Sequence, residues 1–328
     1  MVNPHNLKEL YMAGERSKSI GEVGESIAEN FFNKIGWGLP QKGVYFQCYK
    51  NQEHALKTSK NDEKNVHGID FQISYKSALE SETLNNLLIS VKHLKDSNYP
   101  KSATVKFQDY ISDLVHSMDC FKRSPLRREV ASGVTGCKAI NEIPILFYVS
   151  SRNDENYDFV TCLQNSRFIN DYDIKELYIV DNKKITFILD VLNYIEKTYS
   201  DYNWYFYHPM TGMNVADSNI LHHSKRMQVE FLTSPFIPFV LKKKIGVHET
   251  CKFFLASVDG FTSDNFAKYL MYCRANTNDN ISDIEISFAD YFSDDSYGDV
   301  KKVLNAFDSE LKVSVTNYKP NFRSLAHD

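Results

Sequence analysis

Apolar residues at Ile20, Val23, Ile27, Phe31 and Ile35 recur at the spacing of one helix face, so the sequence predicts a helix over residues 20–35. Ser19 followed three residues later by Glu22 fits a capping box, and Gly36 stands where a left-handed residue would end the last turn. Gly24 and Ala28 keep one side narrow enough to approach a sheet closely, while Glu22, Glu25 and Glu29 share a flanking face. Farther along, Ile69, Phe71, Ile73 and Tyr75 alternate with Asp70, Gln72 and Ser74 at the period of a strand, and Ile89 and Val91 alternate with Ser90 and Lys92 in a second one. The polar stretch 76–86 between them can close an antiparallel hairpin. Pairing the two strands would bring Asp70 near Lys92.

The same pattern continues on both sides. Residues 44–48 read as a strand, the spacing of Phe107, Ile111, Leu114, Met118 and Phe121 predicts a second helix, and 143–150 is a continuous apolar strand suited to a buried sheet position. The order is then αβββαβ. Segments 158–170 and 185–199 read as helices with a short strand at 177–180 between them, and a boundary is expected near Ser200. Residues 201–328 predict an α+β domain: strands at 202–207, 252–258 and 284–288, helices at 263–274 and 299–307, and a proline-punctuated stretch, Ser234-Pro235-Phe236-Ile237-Pro238. Its many aromatics suit a core, a platform for stacked bases or a docking face for a partner.

Composition narrows the class. At 328 residues the chain is long enough for two domains. No apolar run approaches the roughly eighteen residues of a membrane helix, and the polar start does not resemble a secretory signal, so the expected location is the cytoplasm. The formal net charge of −4 argues against a protein coated in positive potential, although local basic clusters bind nucleic acid in many enzymes. Lys92 with Lys95 and Lys101, Arg123 with Arg127 and Arg128, and Lys242 to Lys244 are such clusters, and Ser124 to Arg128 reads as a loop from which arginines could grip phosphates. Six scattered cysteines show no C-x-x-C pair and no histidine at zinc-ligand spacing, and the adjacent His222 and His223 read as surface or loop residues. The sequence therefore predicts no zinc centre. No phosphate-binding glycine loop, Walker motif or Ser-His-Asp arrangement is evident, which removes the parts of a nucleotide-driven motor or a serine hydrolase.

The run G-x-x-G-E-x-x-A-x-x-F-F-x-x-I-G-W at residues 21–37, then Gly68-Ile69-Asp70, then the strand ending Ser90-Val91-Lys92, resembles the PD-(D/E)xK, or restriction-endonuclease-like, nuclease superfamily. Within it the motifs are most similar to the Mrr-like and Holliday-junction-resolvase-like branches. The resemblance covers about the first half of the chain. It implies an α/β fold with an αβββαβ core, a central mixed sheet flanked by helices, over residues 1–200. It further implies a helix glutamate at Glu25, a metal-binding aspartate at Asp70 and a catalytic lysine at Lys92, acting with Mg2+ or Mn2+ on DNA, with RNA left open. One position departs from the pattern: the residue two before the lysine, usually acidic or glutamine, is Ser90, a poor ligand for a hard cation. Gln72 on the same strand face as Asp70, Glu80 and Glu82 in the hairpin turn, or the Ser90 position itself could complete the ligand set. The family analogy suggests a role in bacterial defence against phage, in a homo-oligomer or in a complex with a second defence protein. The alternative is a non-catalytic subunit that keeps the fold to bind DNA or a partner nuclease.

Overall fold

The computed structural model describes residues 4–55, 63–163, 175–215, 222–277, 281–307 and 312–323. They form two compact units, one of residues 1–77 with 82–185, the other of residues 78–81 with 186–328. The first contains α1 (Pro4–Lys34), β1 (Gln41–Gln47), β2 (Val66–Lys76), β3 (Thr83–Leu94), α2 (Val105–Phe121), α3 (Pro125–Ser132), β4 (Ala139–Ser150), α4 (Phe159–Leu163) and β5 (Tyr178–Val180), after which α5 (Asn182–Thr198) begins. Its sheet has the order β1-β2-β3-β4-β5. The first three strands are antiparallel neighbours, and β3, β4 and β5 run parallel. The fold is the mixed α/β core with the αβββαβ order that the sequence pattern predicts. Of the helix expected over 158–170, residues 164–170 lie outside the described residues.

Helix α1 packs on this sheet through Phe32, whose ring lies 5.4 Å from Phe71 and 5.8 Å from Phe147, and Trp37 follows against Tyr75 at 6.3 Å. Gly36 ends the helix as expected, at φ 77°, and the N–H of Trp37 donates to the Phe32 carbonyl at 2.8 Å. The start differs. The helix begins at Pro4, so Ser19 and Glu22 lie inside it and form no cap. A capping box is a local signal, and the preceding residues, rich in good helix formers such as Leu7, Lys8, Glu9, Leu10, Met12 and Ala13, continue the helix instead. The buried face also differs: Gly24, Ala28, Phe31, Phe32 and Ile35 are buried, whereas Val23 and Ile27 are 44% and 38% exposed. At Gly24 the approach to the sheet is too close for a larger side chain.

On the same sheet, α2 buries Phe107, Ile111, Leu114, Val115, Met118 and Phe121. Thr104 caps it by accepting from the Phe107 N–H at 3.2 Å. Thr104→Ala leaves that first-turn donor without its side-chain acceptor and is expected to lower the unfolding free energy by about 1 kcal/mol, read as an earlier urea midpoint at unchanged slope.

The second unit is a six-stranded sheet of order β11-β10-β9-β8-β6-β7 with helices α6 and α7. Its elements are β6 (Asn203–Tyr207), β7 (His223–Ser224), β8 (Phe236–Ile245), β9 (His248–Ser257), α6 (Ser263–Asn276), β10 (Ile281–Phe288), α7 (Ser293–Ala306) and β11 (Lys312–Thr316). Many of its aromatics are core: Phe206, Phe239, Phe253, Phe254, Phe266, Tyr269 and Phe288 are at most 1% exposed. The proline-punctuated stretch opens the interior strand β8. Pro238 pairs with Leu255 on one side, and the ladder to β6 begins only at Phe239, so its missing N–H interrupts no bond on the other. A buried ion pair, Lys252 to Glu285 at 2.9 Å, sits on the sheet, and Glu285 also accepts from the hydroxyls of Tyr199 and Thr316.

Candidate active site

Strand β3 leaves the core along its length: Thr83 to Ile89 are buried, whereas Ser90 to Leu94 are half-exposed. This half-exposed end is the carboxyl end of a strand parallel to β4, and antiparallel β2 brings its early residues beside it. The register Phe71 opposite Ile89 sets Asp70 across from Ser90. Asp70 Oδ2 accepts the backbone N–H of Val91 at 2.6 Å and lies 3.4 Å from the Ser90 hydroxyl. One carboxylate oxygen is thus fixed across the strand pair.

Alternation on β3 sends Val91 and His93 toward α1 and Ser90 and Lys92 to the other face. A Cβ built on Gly24 would lie 2.7 Å from His93 Cβ and 3.4 Å from Val91 Cγ1. Helix and strand therefore touch backbone to side chain, and His93 fastens the contact with its two ring nitrogens 3.2 Å from the Ile20 carbonyl and 2.8 Å from the Ser151 hydroxyl. Glu25 follows Gly24 directly. Partial burial, then the carboxylates of Asp70 and Glu22, hold its carboxyl above the usual range, while Lys42 and Lys92 act in the opposite direction. The structure thus brings Glu25 within electrostatic reach of both Asp70 and Lys92. A carboxylate whose ionisation is opposed by burial and by a second carboxylate is one that a cation relieves.

The Lys92 ammonium lies 5.4 Å from the Tyr110 ring centre, and Lys106 lies 5.9 Å from the same ring. Lys95 and Lys101 are exposed in the segment after β3. Lys92 and Lys106 thus flank one ring at this end of the sheet. Lys106 escaped the sequence reading because it is one polar residue at the start of an amphipathic helix.

The sequence from residue 12 to residue 184 matches the family model described as the GAPS4 protein PD-(D/E)XK nuclease domain. The chain belongs to this family. The match spans more than half of the chain, and a nuclease domain implies a nucleic-acid substrate. No curated protein and no solved structure matches the chain. Among the described residues, no helix is long and apolar enough to cross a membrane.

Against this PD-(D/E)XK core, several expected contributors fall elsewhere. Gln72 is 3% exposed, and its amide donates to Ser74 and Asn86 within the sheet, so it is committed to a buried network. The turn carrying Glu80 and Glu82 closes the hairpin beyond Lys76, six residues from Asp70 and so roughly 20 Å along the strand. Glu82 is paired there with Lys138 at 2.6 Å. Residues 124–128 are not a loop: Ser124 caps α3, which contains Arg127 and Arg128. Arg127 is tied to Glu142, whose side chain is only 7% exposed, which makes it a structural cation. Arg123 and Arg128 are exposed, but Arg123 follows the end of α2, roughly 20 Å along the helix from Tyr110 beside Lys92. Of the suggested extra ligands, Ser90 alone stands at Asp70.

Proposed function

We propose that this PD-(D/E)XK protein is a magnesium- or manganese-dependent DNA endonuclease, with Asp70 and Glu25 holding the cation and Lys92 completing the site. What supports the reading is the Asp70 carboxylate held on the Val91 N–H, one residue before Lys92, with Glu25 in electrostatic reach of both. Their oxygens suit a hard divalent ion, which takes carboxylate and water and keeps several waters in its shell. Bound there, the cation would supply Lewis acidity at the scissile phosphate and an acidified water.

The chain's own groups do the remaining work. Asp70 is oriented by the Val91 N–H, so its second oxygen is presented without a search over rotamers. Lys92 brings a compact cation with three donors, suited to orienting the attacking water or offsetting charge on the phosphoryl oxygens. Its ammonium lies over the Tyr110 ring, which limits its wandering. Lys95, Lys101 and Lys106 would hold flanking phosphates without reading bases. Residues 1–200 would form the nuclease domain and 201–328 an accessory domain, in the cytoplasm, serving defence against foreign DNA as a homo-oligomer or beside a second defence protein.

Ser90 favours a second reading, a non-cutting subunit that binds DNA or a partner nuclease. Plasmid incubated with the purified chain separates the two: Mg2+-dependent fragments that EDTA abolishes support the enzyme, and intact plasmid at every metal concentration supports the binder. Within the enzyme reading the Ser90 hydroxyl contributes little, because 3.4 Å to Asp70 is at the limit of a hydrogen bond. Ser90→Ala is expected to change the cleavage rate by less than about tenfold. Ser90→Glu adds the missing carboxylate and is expected to lower the Mg2+ concentration for half-maximal rate.

A further inference from the structure

Away from the carboxylates, Cys48, His54, His67 and Cys120 converge inside the first unit, each at most 3% exposed. Cys48 follows β1, His54 lies in the connection to β2, His67 is the second residue of β2, and Cys120 is in the last turn of α2. The Sγ atoms of Cys48 and Cys120 are 3.9 Å apart. His54 Nδ1 lies 3.4 Å from each sulfur and 3.3 Å from His67 Nε2. All four donor atoms lie within 4.8 Å of one another.

Hydrogen bonding alone does not account for this packing. A neutral imidazole nitrogen offers either one N–H or one lone pair, yet His54 Nδ1 has three polar neighbours at 3.3–3.4 Å. A central ion does account for it. With zinc–sulfur bonds of about 2.3 Å and zinc–nitrogen bonds of about 2.0–2.1 Å, a tetrahedron has sulfur–sulfur, sulfur–nitrogen and nitrogen–nitrogen edges of about 3.8, 3.6 and 3.4 Å. The four measured edges fall within a few tenths of an ångström of these.

The outer contacts have the same logic. His67 turns Nε2 inward and Nδ1 outward, 3.1 Å from the Ser117 hydroxyl and 3.9 Å from Asp113 Oδ1. His54 turns Nδ1 inward and Nε2 outward, 3.9 Å from Asp119 Oδ2. Each imidazole thus aims one nitrogen at the centre and the other at a carboxylate, as metal-bound histidines do. The Tyr49 N–H also donates to Cys120 Sγ, at 3.4 Å.

We propose that Cys48, His54, His67 and Cys120 bind one structural zinc ion that pins the β1–β2 connection and the start of β2 to the end of α2. Two sulfurs and two imidazoles in a tetrahedron select zinc over magnesium or manganese, which prefer oxygen. A two-iron cluster with the same four residues would hold the cysteines on one iron and the histidines on the other, whereas these donors crowd around a single point. Burial of all four leaves no open position for substrate, so the role is structural. The sequence concealed the site because Cys120 is 72 residues from Cys48 and no two ligands stand at finger-like spacing.

The test needs no cleavage assay and is independent of the Asp70 reading. Tag-free protein, purified without chelator, is expected to carry about one zinc per chain by elemental analysis, with two sulfur and two nitrogen neighbours in zinc-edge X-ray absorption. Reconstitution with cobalt should give thiolate charge-transfer bands and the intense visible absorption of a tetrahedral ion. Cys48→Ser with Cys120→Ser should remove the zinc and lower the melting temperature. Because unfolding of that variant would not by itself locate the metal, the wild-type measurements decide. A folded wild type with less than about a tenth of an equivalent of zinc, an all-oxygen-and-nitrogen shell, or a Cys48–Cys120 disulfide in the native chain would overturn the proposal.

Discussion

Asp70→Asn is expected to slow Mg2+-dependent DNA cleavage by at least about a thousandfold, some 4 kcal/mol of transition-state stabilisation, while leaving the chain folded. The asparagine keeps an oxygen that can accept the Val91 N–H, now held at 2.6 Å, so the tie between β2 and β3 survives. What disappears is the charge. In the absence of metal, losing that charge relieves repulsion with Glu25, whose carboxyl Asp70 pushes upward, so the melting temperature in EDTA should hold or rise slightly. Wild type should gain stability as Mg2+ is added, because a ligand bound only by the native state stabilises it, and the variant should not. Lys92→Met is the companion: it retains most of the apolar stem and removes the ammonium over Tyr110, so cleavage should fall with little change in folding. Asp70→Asn protein that cut plasmid at the wild-type rate would remove Asp70 from the chemistry and the present reading with it.

Much of this site was legible because it rests on local periodicity. Alternation in 69–75 and 89–92 fixed which residues share a strand face, and the hairpin register that opposes Asp70 to Ser90 follows from pairing those two runs. Glu25 was legible through its neighbours, since Gly24 and Ala28 announce a helix side pressed against a sheet. Other features depended on tertiary context. The helix turns Gly24 toward Val91 and His93 and leaves Val23 and Ile27 exposed, a choice of face that local hydrophobicity cannot report. Arg127 read as a phosphate ligand until Glu142, fifteen residues away on β4, claimed it. The cysteine and histidine cluster was the largest omission. Its ligands come from the β1–β2 connection, β2 and α2, so only the folded chain brings them together.

Gly24→Val provides the second large effect, because it tests whether the contact between α1 and β3 positions Glu25. The new Cβ would meet His93 Cβ at 2.7 Å, closer than carbon atoms pack, before the two methyls are counted. His93 cannot swing aside cheaply, since its ring is held by the Ile20 carbonyl and the Ser151 hydroxyl. The helix must therefore lift, carrying Glu25 away from Asp70. Overpacking of this kind costs about 1–3 kcal/mol of stability, and a displacement near 1 Å at a reacting centre lowers the rate by up to about a hundredfold. Gly21→Ala in the same helix is the control: nothing lies within 4 Å of its Cβ, so exchanging glycine for alanine should stabilise the helix by up to about 1 kcal/mol and leave cleavage unchanged. If Gly24→Val matched wild type in both melting temperature and cleavage while the control behaved as expected, the helix would not be what sets the distance between the two carboxylates, and Glu25 would lose its place in the site.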